Sequence, residues 1–318
     1  MMHLLSLSDW TREQVEDAVR LAALLKAGPA GYASALRGRI LLMMFEKPSL
    51  RTRLSFEAAM LQTGGHAIHY DVGGSPLGKG KETLADTART ASRFVGAIMA
   101  RLYRQSDLVE IARHATVPVI NGLTDVEHPC QALGDLLTLR ERRGHLAGLK
   151  VAFLGDGNNN VTHSLMDACS KTGVNFALAC PESREYLPLP EVAERTRRAA
   201  AASGARMEVV HDPVEAAAGA DAIYTDTWVS YHHGADQKAE RTRMLEPFRV
   251  TAGVMARAKP DAVFLHCLPA ERGAEVAAEV IDGPRSIVFD QAENRLHAQK
   301  AVLLRLLNPQ YHPQRTPL

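Results

Sequence analysis

Short apolar runs separated by amphipathic stretches set the pattern of this chain. Ile40–Phe45 is uninterrupted apolar sequence followed by Pro48 and reads as a buried strand. Further strands are predicted at His66–Tyr70, Ala97–Ala100, Val117–Ile120, Val151–Leu154, Asn175–Cys180, Arg206–Val210, Ala222–Thr225 and Ala262–Leu265. Between them, apolar residues recur at helical spacing. They predict helices over Trp10–Lys26, Thr52–Thr63, Glu82–Phe94, Asp107–His114, Pro129–Arg143, from about Val161, over Glu191–Ala202 and over Asp290–Leu307. Ser8, Asp9 and Thr11 are available caps for the first helix, Gly28-Pro29 stops it, and Pro129 suits a first helical position. Strand–helix alternation with short connections predicts an α/β fold of two domains, each a mostly parallel sheet with helices on both faces. The boundary is expected near Arg143–Leu149, giving domains 1–145 and 146–289, with helix 290–307 packing back on the first. Residues 308–318 read as a loose tail.

The 318 residues agree with two domains of about 150 each. A formal net charge of +1 gives no bulk attraction to nucleic acid or membrane, so any anion site must be local. Cys130, Cys169, Cys180 and Cys267 form no C-x-x-C pair, which makes a reducing, cytoplasmic setting the expectation. No basic segment leads into an apolar run at the start, and no run approaches the ~20 residues of a membrane span.

Candidate chemistry gathers where strands end, the place where open α/β sheets bind ligands. Ser49, Arg51, Thr52 and Arg53 follow the first strand and fall in a first helical turn, where unpaired N–H groups and guanidinium forks suit an anion. An amphipathic helix with exposed arginines is the plain alternative. Arg101, the pair His128 and Gln131, Asn158–Asn160, Asp226 with Ser230, and His266-Cys267-Leu268-Pro269 stand after later strands. This distribution predicts one cleft between the two domains. His128 and Gln131 could bond a carbonyl and an amide; a core or capping histidine is the alternative. Asp226 and Ser230 would meet if their segment turned helically, and a carboxylate there suits a cationic amine. Cys267 is an inert buried thiol unless a base activates it, and His266 alternates to the opposite face of an extended segment. Gly155-x-Gly-x-x-Asn lacks the third glycine and the acidic residue of a dinucleotide loop. Its asparagines offer amide groups at a helix start, or simply a capping turn.

F-E-K-P-S-L-R-T-R, D-T-A-R, H-P-C-Q-A-L, D-x-W-V-S, H-C-L-P-A and F-D-Q-A-E-N-R-L-H-A-Q-K occur in that order. Together they resemble the aspartate/ornithine carbamoyltransferase family, most closely its ornithine branch, over essentially the whole chain. The resemblance implies that the first domain binds carbamoyl phosphate and the second an amino acid, with the active site in the interdomain cleft. Ser49, Leu50 through its backbone, Arg51 and Thr52 would hold the phosphate. Arg101, His128 and Gln131 would hold the carbamoyl group, and Arg295 would reach in from the last helix. Asn160, Asp226, Ser230 and the backbone of Tyr231 would hold the ornithine head group, with Cys267 and the Leu268 carbonyl beside the reacting amine. Arg101, His128 and Cys267 are the expected catalytic groups, and Arg53 a structural one. The resemblance implies a homotrimer or a multiple of trimers, and neither metal nor cofactor is expected. The amine must be neutral to attack, and at pH 7 only about one in 10³ is, so the rate should rise from pH 7 to 9.

Three departures bear on the acceptor and the donor loop. Leu50 and Pro48 replace Thr and Ser, a feature similar to acylated-ornithine enzymes. Tyr231-His232-His233-Gly234 replaces the usual Ser-Met-Gly, which leaves lysine, putrescine or an acylated ornithine as alternative acceptors and a catalytically silent relative as another reading. Gly74–Asp86 resembles the aspartate branch, whose loop brings a lysine into the neighbour's site, so Lys79 or Lys81 is expected to act in trans; a mobile surface loop is the alternative.

Overall fold

A computed structural model describes residues 1–229 and 235–310. The tail expected over residues 308–318 lies outside them from residue 311 onward. Elements alternate as the pattern predicts: α1 (Arg12–Ala27), β1 (Ile40–Phe45), α2 (Leu50–Gln62), β2 (His66–Asp71), α3 (Leu84–Ala91), β3 (Ala97–Arg101), α4 (Gln105–His114), β4 (Val119–Leu123) and α5 (Pro129–Arg143). The chain continues with β5 (Lys150–Leu154), α6 (Asn160–Thr172), β6 (Asn175–Ala179), α7 (Pro190–Ser203), β7 (Met207–Val210), α8 (Pro213–Ala217), β8 (Ala222–Thr225) and α9 (Ala235–Leu245). It closes with α10 (Ala252–Met255), β9 (Val263–His266), α11 (Ala278–Ile281) and α12 (Val288–Leu307). Of the available caps, Thr11 starts α1 in a reciprocal box with Gln14. The α3 helix starts at Leu84, two residues later than expected, because Thr83 caps it, accepting from Asp86 N at 3.0 Å.

The chain divides into two compact units, Met1–Leu137 with Glu293–Leu318, and Thr138–Ala292. The division falls inside α5, where the sequence reading placed the boundary after that helix. Its first half carries Gly134, where an added Cβ would lie 3.3 Å from Arg295 N, so this end lies close against α12. Its last turn carries Arg143, which donates to Asp221 O at 3.1 Å and to Asp261 in the second unit.

The first unit holds a sheet in the order β2-β1-β3-β4 with every pairing parallel. Its inner strands are apolar on both sides, and Met44, Ile98, Ala100 and Val119 share one core cluster. The second unit holds a parallel sheet in the order β7-β6-β5-β8-β9. Ala152, Leu154, Ile223 and Phe264 anchor its core. Each order reverses direction once, between β1 and β3 and between β5 and β8. At such a switch the connections leave on opposite sides, and the loops beyond the strand ends part to make room for a ligand. All four cysteines are free.

Candidate active site

In the first unit, β1 delivers the chain to the switch point and Ser49 starts α2. Ser49 Oγ accepts from Thr52 N at 3.3 Å, leaving other N–H groups of that turn to face outward. Thr52 is fully buried, and its Oγ1 accepts from Arg295 Nη2 at 2.9 Å. Ser49 Oγ also donates to Thr52 Oγ1 at 3.1 Å, so Thr52 Oγ1 accepts from both and keeps its own proton for a ligand oxygen. Arg51 Nε is buried without a hydrogen-bond partner. Arg53 points elsewhere: its Nε pairs with Glu57 at 2.9 Å on the exposed side of the helix. Leu50 is 71% exposed, so its side chain adds nothing to an anion site built from backbone.

Arg101 ends β3, where the register against β4 shifts between Ala100 and Arg101. The shift re-aims the arginine, as bulges beside active sites do. Gly122 stands opposite it because a Cβ there would come 2.4 Å from Met99 Sδ. His128 and Gln131 open α5, one turn apart and both buried. Gln131 Nε2 donates to the buried Asp135 at 2.9 Å, which turns its Oε1, buried and without a partner, the other way. Burial and then the charges of Arg295, Arg101, Lys47 and Arg51 hold the His128 imidazole well below its ordinary pKa. It is therefore neutral at physiological pH and can donate a hydrogen bond without adding charge.

Lys47 is absent from the sequence-based candidates, although it stands in the motif that suggested the site. It is buried, its Nζ lies 5.1 Å from the centre of the Tyr103 ring, and its charge is felt at His128. Burial, with Arg101 beside it, pushes its pKa down to about 8. The usable signal was a lysine two residues past a fully apolar strand, at the end where polar groups meet ligands.

In the second unit, Asn159 caps α6 by accepting from Thr162 N at 2.8 Å, and Asn160 opens the helix at the end of β5. Thr225 and His266 are register partners at the ends of β8 and β9. The next residues, Asp226 and Cys267, consequently stand side by side, and Cys267 Sγ donates to Asp226 Oδ1 at 2.9 Å. Asp226 Oδ1 also accepts from Thr227 N at 2.8 Å. Residues 227–229 are not helical, so the helical turn considered for Asp226 and Ser230 does not begin there. The expected contacts at Ser230 and Tyr231, and the Tyr231-His232-His233-Gly234 departure, lie outside the described residues. Leu268, directly after Cys267, adopts φ 60°, left-handed for a non-glycine residue.

His266 is no base for Cys267. Its Nδ1 accepts from Leu268 N at 2.8 Å and its Nε2 lies 3.3 Å from the buried Glu275 carboxylate. The same engagement weakens the case for a metal, although Asp226, His266 and Cys267 bring ligand atoms within 4.8 Å of one another. The sequence reading also passed over Asp156 and Arg241. They form a buried ion pair, and Arg241 Nε donates to Trp228 O at 2.9 Å, tying the loop after β5 to the segment after Asp226. Burial pushes the Asp156 carboxyl up against the pull of Arg241.

Residues 2–141 match the model of the aspartate/ornithine carbamoyltransferase carbamoyl-P binding domain, and residues 147–306 that of the Asp/Orn binding domain. The ornithine carbamoyltransferase of Symbiobacterium thermophilum is 51% identical over 303 residues, covering 94% of this chain and 96% of its own. The anabolic ornithine carbamoyltransferase of Pyrococcus furiosus is 49% identical over 302 residues, 94% of each chain. The solved ornithine carbamoyltransferase from Pyrococcus furiosus superposes with a TM-score of 0.91 at 48% identity over 98% of both chains. The anabolic enzyme from Campylobacter jejuni gives 0.90 at 36% identity over 97% of this chain and 100% of its own. With both halves matched by the family's models and relatives near 50% identical along almost the whole chain, the chain belongs to the aspartate/ornithine carbamoyltransferase family.

Proposed function

We propose that this chain transfers the carbamoyl group of carbamoyl phosphate to the side-chain amine of L-ornithine, giving L-citrulline and phosphate. The observation that carries the reading is the neutral His128 enclosed by the charges of Arg295, Arg101, Lys47 and Arg51. Such a set suits a dianion whose carbonyl must be polarised without a proton being lost to it. Ser49, the backbone at Leu50, Arg51 and Thr52 hold the phosphate; Arg101, His128 and Thr52 donate to the carbonyl oxygen; Gln131 Oε1 accepts from the carbamoyl NH₂. Asn160 and Asp226 hold the α-amino acid head group, with Cys267 and the Leu268 carbonyl beside the amine. The neutral amine attacks the carbonyl carbon, and negative charge builds on its oxygen against the pre-aimed donors. The C–O bond to phosphate then breaks with its electron pair, Arg51 and Arg295 offset the departing charge, and the nitrogen gives up a proton to the departing phosphate. The test is ureido-product formation from carbamoyl phosphate with ornithine, lysine, putrescine, aspartate and N-acetylornithine. Product with another amine and none with ornithine would overturn the reading.

The pH dependence has two limbs of opposite sign. Turnover of ornithine rises from pH 7 to 9 as its amine, with a pKa around 10.4, loses its proton. Carbamoyl phosphate prefers the charged Lys47, so its affinity is fullest below pH 8 and declines as pH rises through that lysine's value of about 8. Lys47→Met should bind carbamoyl phosphate about tenfold more weakly at pH 7 and lose the alkaline decline, as calorimetry between pH 6.5 and 9 would show. An unchanged decline in Lys47→Met would assign it elsewhere.

The working form is proposed to be a cytoplasmic homotrimer. Among the described residues no helix is long and apolar enough to cross a membrane. Leu50, Leu54 and Leu61 are 71%, 56% and 65% exposed on one face of α2, an apolar stripe suited to a second copy of the chain. Lys79 and Lys81 are exposed on hydrogen-bonded turns, Lys79 N donating to Ser75 O at 3.1 Å and Lys81 N to Pro76 O at 2.8 Å. Gly78 allows that fold, since a Cβ there would lie 2.1 Å from Val72 O. These lysines are proposed to reach the neighbour's carbamoyl phosphate. Leu54→Glu should therefore reduce the mass measured by light scattering and cut activity at least about tenfold together. Full activity from a monomer would refute the trans contact.

A further inference from the structure

The donor site draws on a part of the chain far from its motifs. Leu4 pairs in parallel with Ile120 on the outer side of β4: Leu4 N donates to Val119 O at 2.9 Å and Asn121 N to Leu4 O at 2.7 Å. This stub lies along the strand whose end leads to His128. Two routes then run from it to the loop 124–127. In the first, Ser6 Oγ donates to Glu127 Oε1 at 3.1 Å, and Glu127, the residue before His128, is 1% exposed. In the second, Gln105 Nε2 donates to Leu5 O at 3.4 Å and its Oε1 accepts from Thr124 Oγ1 at 2.6 Å. The loop is closed on itself as well: Glu127 N donates to Thr124 Oγ1 at 3.2 Å and Thr124 N to Glu127 O at 2.9 Å. The backbone on the N-terminal side of His128 is thus fixed from outside the sheet.

We infer that the N-terminal segment Leu4–Ser6, acting through the buried carboxylate of Glu127, is a positioning element that holds His128 at the carbamoyl carbonyl. The inference rests on the proposed carbamoyl phosphate site. A buried carboxylate is an expensive group to keep, and an apolar side chain would fill the same space for a purely structural loop. What the carboxylate adds is a directional acceptor for Ser6. Direction matters here because a displacement near 1 Å in a catalytic group can cost about 10²-fold in rate.

The experiment compares Ser6→Ala, Glu127→Gln and Glu127→Leu in the full chain, using carbamoyl phosphate itself as the calorimetric probe and steady-state kinetics with each substrate varied. Glu127→Gln keeps an acceptor for Ser6 Oγ and should stay within about threefold of the unmodified protein. Ser6→Ala should lose about five- to tenfold, and Glu127→Leu about 10²-fold, in kcat/KM for carbamoyl phosphate, with the ornithine KM within about twofold. A fall in melting temperature with carbamoyl phosphate affinity and kcat unchanged would reduce the clasp to a structural bolt and overturn the inference. So would equal losses for both substrates. If Glu127→Leu does not fold, Ser6→Ala decides by the same criteria. Failure of the unmodified chain to bind carbamoyl phosphate would sink the functional reading and this inference together. Binding without ornithine turnover would fault only the acceptor, and carbamoyl phosphate affinity would then decide for the variants.

Discussion

Arg51→Met should lower kcat/KM for carbamoyl phosphate by about 10²–10³-fold, equivalent to roughly 3–4 kcal/mol of transition-state stabilisation. Arg51 stands in the first turn of α2, its Nε is buried without a hydrogen-bond partner, and no carboxylate pairs with it among the described residues. A guanidinium in that position destabilises the empty protein and is compensated only when an anion arrives. Two results follow together. The melting temperature of the empty variant should be unchanged or slightly raised, and the stabilisation that carbamoyl phosphate gives the unmodified protein should largely vanish. Arg53→Met is the matched control: Arg53 already pairs with Glu57 in solvent, so activity should stay within a few-fold. Equal losses in the two variants would mean that the helix, and not the ligand, depends on Arg51.

On the acceptor side, Asp226→Asn should reduce kcat/KM for ornithine by about 10²–10³-fold while carbamoyl phosphate affinity stays within about twofold. The substitution conserves shape, and an amide oxygen can still accept from Cys267 Sγ, now 2.9 Å from Asp226 Oδ1. What disappears is the negative charge proposed to face the α-ammonium group. Truncating one member of such a partly desolvated pair leaves the other charge without compensation, at a cost of about 2–5 kcal/mol. Steady-state kinetics at saturating carbamoyl phosphate gives the answer, and an ornithine KM within threefold of the unmodified protein would remove Asp226 from the head-group site. Norvaline, which has the head group without the side-chain amine, should lose affinity in parallel with ornithine.

Both predictions concern residues visible in the sequence, yet neighbouring ones were not. Ser49, Arg51 and Thr52 were legible because a helix start after a buried strand is a local event with a fixed chemistry. Lys47 was passed over because nothing local reveals that a lysine is buried; that follows from Tyr103 and Arg101, contributed by the end of β3 and the turn after it. Glu127 was hidden for the same reason, since its partner Ser6 is 121 residues away. The ion pair of Asp156 and Arg241 spans 85 residues. The division by contacts inside α5 was not legible because a continuous helix carries no sequence mark where its neighbours change.

The sequence by itself determined the alternation of strands and helices, the parallel α/β class and the family, because periodicity, caps and ordered motifs are local properties of the chain. Only the tertiary structure decided the strand orders β2-β1-β3-β4 and β7-β6-β5-β8-β9, which no periodicity encodes. Those orders place the residues after β1 beside those after β3, and the residues after β8 beside those after β9. The pairing of Thr52 with Arg295 and of Asp226 with Cys267 therefore follows from which strands and helices are neighbours. Chemistry of single residues can be read along the chain; the electrostatic environment that holds His128 neutral exists only when four separate segments have been brought together.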